Sequence, residues 1–149
     1  MSLPIGRVLL SASALSAAIG AYVADWNETH IFNPRWPPHA KFHNAHTMLL
    51  GTALGVFTLY FLWSKRWRGA RGLEVGTILS AVYWVTQAGS LLFPGTALTD
   101  PEFAYRTQYI GGVLPINQLT IITVFLVLVT VGFLLERRAL RAAPAAQGV

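Results

Sequence analysis

Apolar residues fall into four long runs, separated by short stretches rich in charged residues and proline. Each run is close to the ~20 residues that a helix needs to cross the hydrocarbon core of a bilayer. The pattern predicts an all-α integral membrane four-helix bundle, a single domain over residues 1–141, followed by a disordered tail at 142–149. We place the helices at about residues 4–24, 38–64, 72–93 and 114–136.

The first run also permits a second interpretation, because a cleaved signal peptide carries an apolar stretch near the N-terminus. We favour a membrane helix for two reasons. A signal peptide begins with a basic segment, and here Arg7 is its single basic residue. Cleavage would also remove one span and disrupt the charge distribution described below.

Composition supports a membrane protein. The chain is 54% hydrophobic and only 11% charged, whereas soluble domains carry about 25% charged residues. Its mean hydropathy is +0.49. There is no cysteine, which excludes disulfides, thiolate catalysis, iron–sulfur clusters and cysteine-type zinc sites. We expect no nucleic-acid partner, since the distribution of the +5 net charge fits membrane topology better.

The charges are segregated between the two ends of the predicted helices. One end holds eight of the eleven basic residues: Arg7, Lys65, Arg66, Arg68, Arg71, Arg137, Arg138 and Arg141. The other end holds Arg35, Lys41 and Arg106, together with Asp25, Glu28, Asp100, Glu102 and every histidine. The positive-inside rule therefore places both termini in the cytoplasm, in what we expect to be a bacterial inner membrane. The histidine-rich loop lies on the non-cytoplasmic side.

Three histidines begin the second helix, after a proline-stiffened cap loop at residues 25–37. His39, His43 and His46 lie at i, i+4 and i+7, so they share one helix face. Imidazole binds transition metals and haem iron, and Asp25 and Glu28 are close enough in sequence to supply further ligands. The alternative is that the histidines lie at the headgroup level and bind water or loop carbonyls.

Polar residues within the helices are further candidates for a site. Asn44, Tyr83 and Gln87 fit a pocket at the histidine end, and Asn117 and Gln118 are placed to face the same cavity. Hydrogen bonding between helices, worth about 0.6 kcal/mol each, is their alternative role. Nucleotide-binding, zinc-protease, serine-hydrolase and calcium-loop motifs are all missing from the sequence.

Small residues recur at four-residue spacing in the first two helices. Gly51 and Gly55 form a GxxxG pair, and Ala14 and Ala18 repeat the spacing. Such faces allow close helix contact in lipid. We expect a homo-oligomer that uses them.

The segment Ala40-Lys41-Phe42-His43 resembles the opening of the second helix in styrene oxide isomerases, small bacterial four-span membrane enzymes. In that family the histidine binds haem b, whose ferric iron acts as a Lewis acid on an epoxide. The resemblance implies that His43 is the axial ligand. Gln87-Ala88-Gly89 is similar to the family's third-helix pattern, and Tyr83 stands where that family has a pocket aspartate.

Two functions follow from these patterns. The first is a membrane enzyme that acts on a small hydrophobic substrate, with a His-bound haem or transition metal as Lewis acid. The resemblance to styrene oxide isomerases implies haem b as the cofactor and isomerisation of an epoxide to a carbonyl as the reaction. Tyr83, Asn44 and Gln87 would be its catalytic groups. The alternative is a non-catalytic bundle binding a lipophilic ligand, because the chain is also similar to sterol-isomerase-like and sigma-2-receptor-like four-span proteins. Both functions imply membrane lipid and a hydrophobic small molecule as partners.

Overall fold

The computed structural model describes residues 4–142. Within this range four long helices make up most of the structure: α1 (Ile5–Asp25), α2 (Pro38–Trp63), α3 (Ala70–Gly89) and α4 (Gln118–Ala142). All four are long and apolar enough to cross a membrane. The prediction of an all-α integral membrane bundle is confirmed.

The short elements between the helices are three 3₁₀ turns and one hairpin. The turns are Lys65–Trp67, Ser90–Leu92 and Pro101–Arg106, and the strands are β1 (Gln108–Ile110) and β2 (Leu114–Ile116). The predicted tail at 142–149 lies outside the described residues, except for Ala142, which ends α4.

The fourth helix starts at Gln118 and not at Leu114, because the apolar residues before it form the β-hairpin. Gly111 and Gly112 adopt φ values of +60° and +73°, which only glycine adopts easily, and this turn pairs Ile110 with Leu114. Asn117 then begins the helix, since its Oδ1 accepts a hydrogen bond from the Thr120 N–H at 3.1 Å. The third helix likewise ends at Gly89, before the predicted boundary at Phe93.

The four helices form an antiparallel ring in which α1 and α3 lie diagonally opposite and each packs on both α2 and α4. We call the two ends of the bundle the cap end (residues 26–37 and 90–117) and the basic end (residues 64–69 with the last turns of α4). Large apolar side chains remain exposed along the outer faces, as expected for helices that face lipid.

Glycines bring α2 against α1. A Cβ on Gly51 would collide with the Ala17 carbonyl oxygen, and one on Gly55 would lie 2.8 Å from the Ala18 Cβ and collide with the Ala14 carbonyl. The GxxxG face therefore packs against α1 of the same chain. An oligomer would have to use a different surface.

At the basic end, α1 also closely approaches α4. A Cβ on Gly6 would lie 2.5 Å from the Gly132 carbonyl oxygen. Beside this contact the Arg7 Nε donates to Glu136 Oε1 at 2.6 Å, and Arg7 Nη1 donates to the Leu62 carbonyl at 3.2 Å. Arg7 thus joins the ends of α1, α2 and α4.

Candidate functional site: a cavity with a polar end

A cavity of about 510 Å³ opens between α1, α3 and α4 in the half of the bundle nearest the cap end. Its size falls within the range of sites that bind small molecules. The lining residues are Leu15, Ser16, Ile19, Gly20, Ala21, Ala24, Asp25, Thr47, Tyr83, Trp84, Gln87, Gln118, Ile121 and Phe125. Most of them are apolar, and α2 contributes only Thr47.

The apolar wall of the cavity is built on Trp84. Its ring stacks on Phe125 with centroids 4.4 Å apart and planes 13° from parallel. The indole Nε1 donates to the buried Ser13 Oγ at 2.8 Å, and Ser80 donates to the same oxygen at 3.0 Å. A buried indole N–H needs such a partner, so this network fixes the orientation of the ring.

Tyr83 lies next to Trp84 and is also buried. The two rings meet edge to face with centroids 5.0 Å apart. A Cβ on Gly51 would lie 3.0 Å from the Tyr83 Cε2, so the glycine in α2 makes room for this ring. The structure therefore places the predicted residue Tyr83 in the wall of the cavity.

Two glutamines provide the polar end of the cavity. The Gln87 Nε2 in α3 donates to Gln118 Oε1 at the start of α4, at 3.3 Å. Among residues 4–142 the buried Gln87 Oε1 has no hydrogen-bond partner. A buried acceptor left unpaired costs about 1–3 kcal/mol, and a rotation of the Gln87 side chain would bring this oxygen to a donor in the cavity.

Asp25 lines the same cavity from the last residue of α1. Its side chain is 15% exposed, and its Oδ2 accepts a hydrogen bond from the Asn44 Nδ2 at 2.8 Å. The other carboxylate oxygen lies 3.7 Å from His30 Nδ1. Asn44 thus contacts a lining residue, Asp25, but does not line the cavity itself. Within the described part of the chain Asn44 Oδ1 is a second buried oxygen without a partner.

The three histidines of the predicted stripe lie outside the cavity, and all are exposed. His39 and His43 are adjacent, with their Nε2 atoms 3.0 Å apart. The nearest link to the cavity is Thr47, a lining residue one turn after His43 whose hydroxyl donates to the His43 carbonyl at 3.0 Å.

Glu28 lies on the cap surface, in an ion pair with Arg106 at 2.8 Å. A hydrogen bond from its own backbone and the guanidinium of Arg106 lower the pKa of Glu28 below its usual value. Over residues 4–142, no group of three or more His, Asp or Glu side chains is arranged to hold a metal ion. The five predicted ligands therefore occupy three separate places: the histidine stripe of α2, Asp25 at the cavity and Glu28 at the surface.

The cap consists of two loops joined by ion pairs. Glu28 and Arg35 in the first loop pair with Arg106 and Glu102 in the second. Asn33 organises the first loop: it is 1% exposed, its amide donates to the Thr29 carbonyl, and its Oδ1 accepts from the Arg35 N–H at 2.9 Å. The predicted stiff loop is thus held by asparagine turn chemistry as well as by proline.

A family model covers nearly the whole chain, matching residues 9–147. The protein belongs to DUF6640, a family of unknown function. No curated protein and no solved structure matches this DUF6640 member. The resemblance to styrene oxide isomerases around His43 therefore stays a prediction.

Sequence reasoning identified part of the cavity in this DUF6640 protein. The sequence predicts that Gln87, Asn117 and Gln118 face one cavity. Gln87 and Gln118 line it, whereas Asn117 does not and instead accepts a hydrogen bond from the Thr120 N–H at the start of α4. The Trp84–Phe125 wall was missed, because a buried stacked pair has no sequence signal beyond two aromatic residues in apolar helices. The Ser13 acceptor was missed for a similar reason, since small residues in the first run indicate packing as readily as hydrogen bonding.

Proposed function

We propose that this protein binds a small lipophilic molecule in the cavity between α1, α3 and α4, with the polar end of the molecule at Gln87. The single observation that carries the proposal is the buried, unpaired Oε1 of Gln87, a residue that lines the polar end of a largely apolar cavity. A ligand that carries a hydroxyl or N–H donor would satisfy this acceptor.

The chemistry of the lining defines the ligand class further. Trp84 and Phe125 offer flat apolar surface for a hydrocarbon or ring system. Asp25 and Gln118 add acceptor oxygens to the lining, and among residues 4–142 no basic residue lines the cavity. The lining therefore favours a neutral or cationic donor group over an anionic headgroup. Many exposed apolar side chains surround the bundle, so the ligand would enter from lipid.

The test compares two photoreactive probes that differ by one donor: a long-chain alcohol that carries a diazirine, and its methyl ether. The alcohol should label peptides of α3 and α4 more strongly than the ether. Gln87→Leu should weaken alcohol binding by about fivefold, the effect of losing one net hydrogen bond of ~1 kcal/mol. Gln108→Leu, an exposed glutamine of the hairpin, is the matched control. Equal labelling by both probes in the unmodified protein would contradict the proposal.

We infer the orientation of the protein in the membrane from its charge distribution. The basic end carries most of the lysine and arginine residues, and the positive-inside rule supports an orientation with this end and both termini in the cytoplasm and the cap in the non-cytoplasmic compartment, the periplasm of a bacterium. Because the chain has no cysteine, Thr99→Cys and Ser64→Cys provide single labels at the two ends. A membrane-impermeant maleimide should modify only Thr99→Cys in intact cells.

The second candidate function is the haem-dependent isomerase, which the His39–His43 pair favours. Haem would supply a Lewis acid that polarises a substrate oxygen. The residues that line the cavity include no histidine, so a haem on His43 does not fit within the cavity of one chain.

An optical spectrum of the protein expressed with added haem tests this second candidate. A Soret band that is lost in His43→Ala would support haem ligation by that residue. A full Soret band in His43→Ala would exclude His43 as the ligand, and a colourless protein would exclude the haem enzyme.

A further inference from the structure

Two histidine side chains converge on the outside of α2, in its first two turns. His39 and His43 are one helical turn apart, and their Nε2 atoms lie at 3.0 Å. The ring centroids are 4.5 Å apart and the planes 82° from parallel. Phe42 stacks nearly parallel to His39, with centroids 6.0 Å apart and planes at 7°. Both imidazoles are accessible from outside the bundle.

This arrangement is close to that of two imidazoles on one metal ion. Two nitrogens at ~2.1 Å from a tetrahedral zinc ion are about 3.4 Å apart, close to the observed 3.0 Å. In the metal-free pair one nitrogen must carry a proton for the two atoms to approach to 3.0 Å. With the proton of that ring on Nδ1 instead, both Nε2 atoms would present lone pairs to a metal ion.

We propose that His39 and His43 form a binding site for a divalent transition metal, of the zinc, copper and nickel type. Imidazole nitrogen suits these metals, whereas magnesium and calcium require oxygen ligands. Over residues 4–142 no third His, Asp or Glu side chain joins the pair, so water completes the coordination. The site is separate from the cavity, since neither histidine is in its lining, and it does not depend on the lipophilic ligand.

The experiment measures the affinity of the full-length protein for Cu²⁺ and Ni²⁺, purified in detergent without a histidine tag. Competition with a chromophoric chelator should give one site per chain, tighter for Cu²⁺ than for Ni²⁺. Loss of even a group that supports a ligand weakens metal binding by about 10- to 100-fold. His39→Gln and His43→Gln should therefore each weaken binding by at least about tenfold.

The matched control is His46→Gln, an exposed histidine of the same helix outside the pair. It should leave the affinity unchanged. An equal loss in His46→Gln would overturn the two-histidine assignment in favour of a three-histidine site, and absence of a metal site in the unmodified protein would overturn the proposal entirely. Because all three side chains are exposed, each variant is expected to stay folded, which the elution volume of the purified protein checks.

Discussion

At the scale of single residues, the ion pair between Arg7 and Glu136 is part of a set of contacts that links three helices. Glu136 is 5% exposed, and its carboxylate is within 2.6 Å of the Arg7 guanidinium. Arg7 also donates to the Leu62 carbonyl at the end of α2, and lies over the Trp63 ring at 6.0 Å. One side chain thus holds three helix ends together at the basic end.

Glu136→Gln should destabilise the protein substantially, because it leaves Arg7 without the carboxylate that compensates its charge. Breaking one partner of a buried pair typically costs about 3–5 kcal/mol, and we expect the lower end because the Arg7 side chain is 22% exposed. The measurement is the thermal unfolding midpoint in detergent. Glu74→Gln, an exposed carboxylate near the same end, should leave the midpoint unchanged. Equal midpoints for the two variants would show that the pair contributes little.

This pair also shows what single-sequence reasoning misses. Arg7 is interpreted from sequence only as a topological charge, and nothing near it indicates a partner 129 positions away. The polar end of the cavity was easier to predict, since Gln87 and Gln118 interrupt apolar runs near predicted helix ends. Residues that interrupt a pattern are visible in sequence, whereas the partner that each one finds depends on packing.

At the scale of helices and strands, hydropathy predicted all four spans but could not separate helix from strand at their ends. Residues 107–135 contain no charged side chain, so the hairpin and α4 form one uncharged stretch. Short apolar segments fit either structure. Two features make residues 108–116 a hairpin and not a part of the helix. Gly111 and Gly112 close the hairpin with their positive φ values, and Pro115 lacks the N–H that helix interiors require.

The close contact of α1 with α2 predicts different outcomes for two glycine-to-alanine substitutions. Gly51→Ala places a methyl group against the Ala17 carbonyl, so the helices must separate and the unfolding midpoint should fall. Gly20→Ala adds the same group where nothing lies within 4 Å, and it should be neutral or stabilise by up to about 1 kcal/mol through the lower entropy of the unfolded chain. Thermal unfolding of both variants in one detergent tests this. A midpoint that falls equally in both would contradict the close contact.

At the scale of the whole molecule, the two ends of the bundle are held in different ways. The basic end is closed by a largely buried ion pair and by the Gly6–Gly132 contact. The cap end is closed by ion pairs whose side chains are mostly solvent-exposed, Glu28–Arg106 and Arg35–Glu102. Exposed pairs are weak and are screened by salt, so we expect the cap to open more easily than the basic end. Asp25 and Gln118, where the two cap loops join the helices, are also lining residues of the cavity. Opening of the cap would therefore expose the polar end of the proposed ligand site.

The pairing of Glu28 with Arg106 gives the cap a defined dependence on pH. Its own backbone hydrogen bond and Arg106 hold the pKa of Glu28 below the usual 4.5, so the folded protein favours the charged carboxylate. A lowered pKa contributes stability that is present above the usual value and is lost as the pH falls through the folded value. The unfolding midpoint should therefore be slightly higher in the unmodified protein than in Glu28→Gln at pH 6, and the difference should disappear at strongly acidic pH. Added salt at pH 6 should reduce the same difference, because the pair is exposed. A difference that persists unchanged into acid would mean that Glu28 supports the cap through packing and not through its charge.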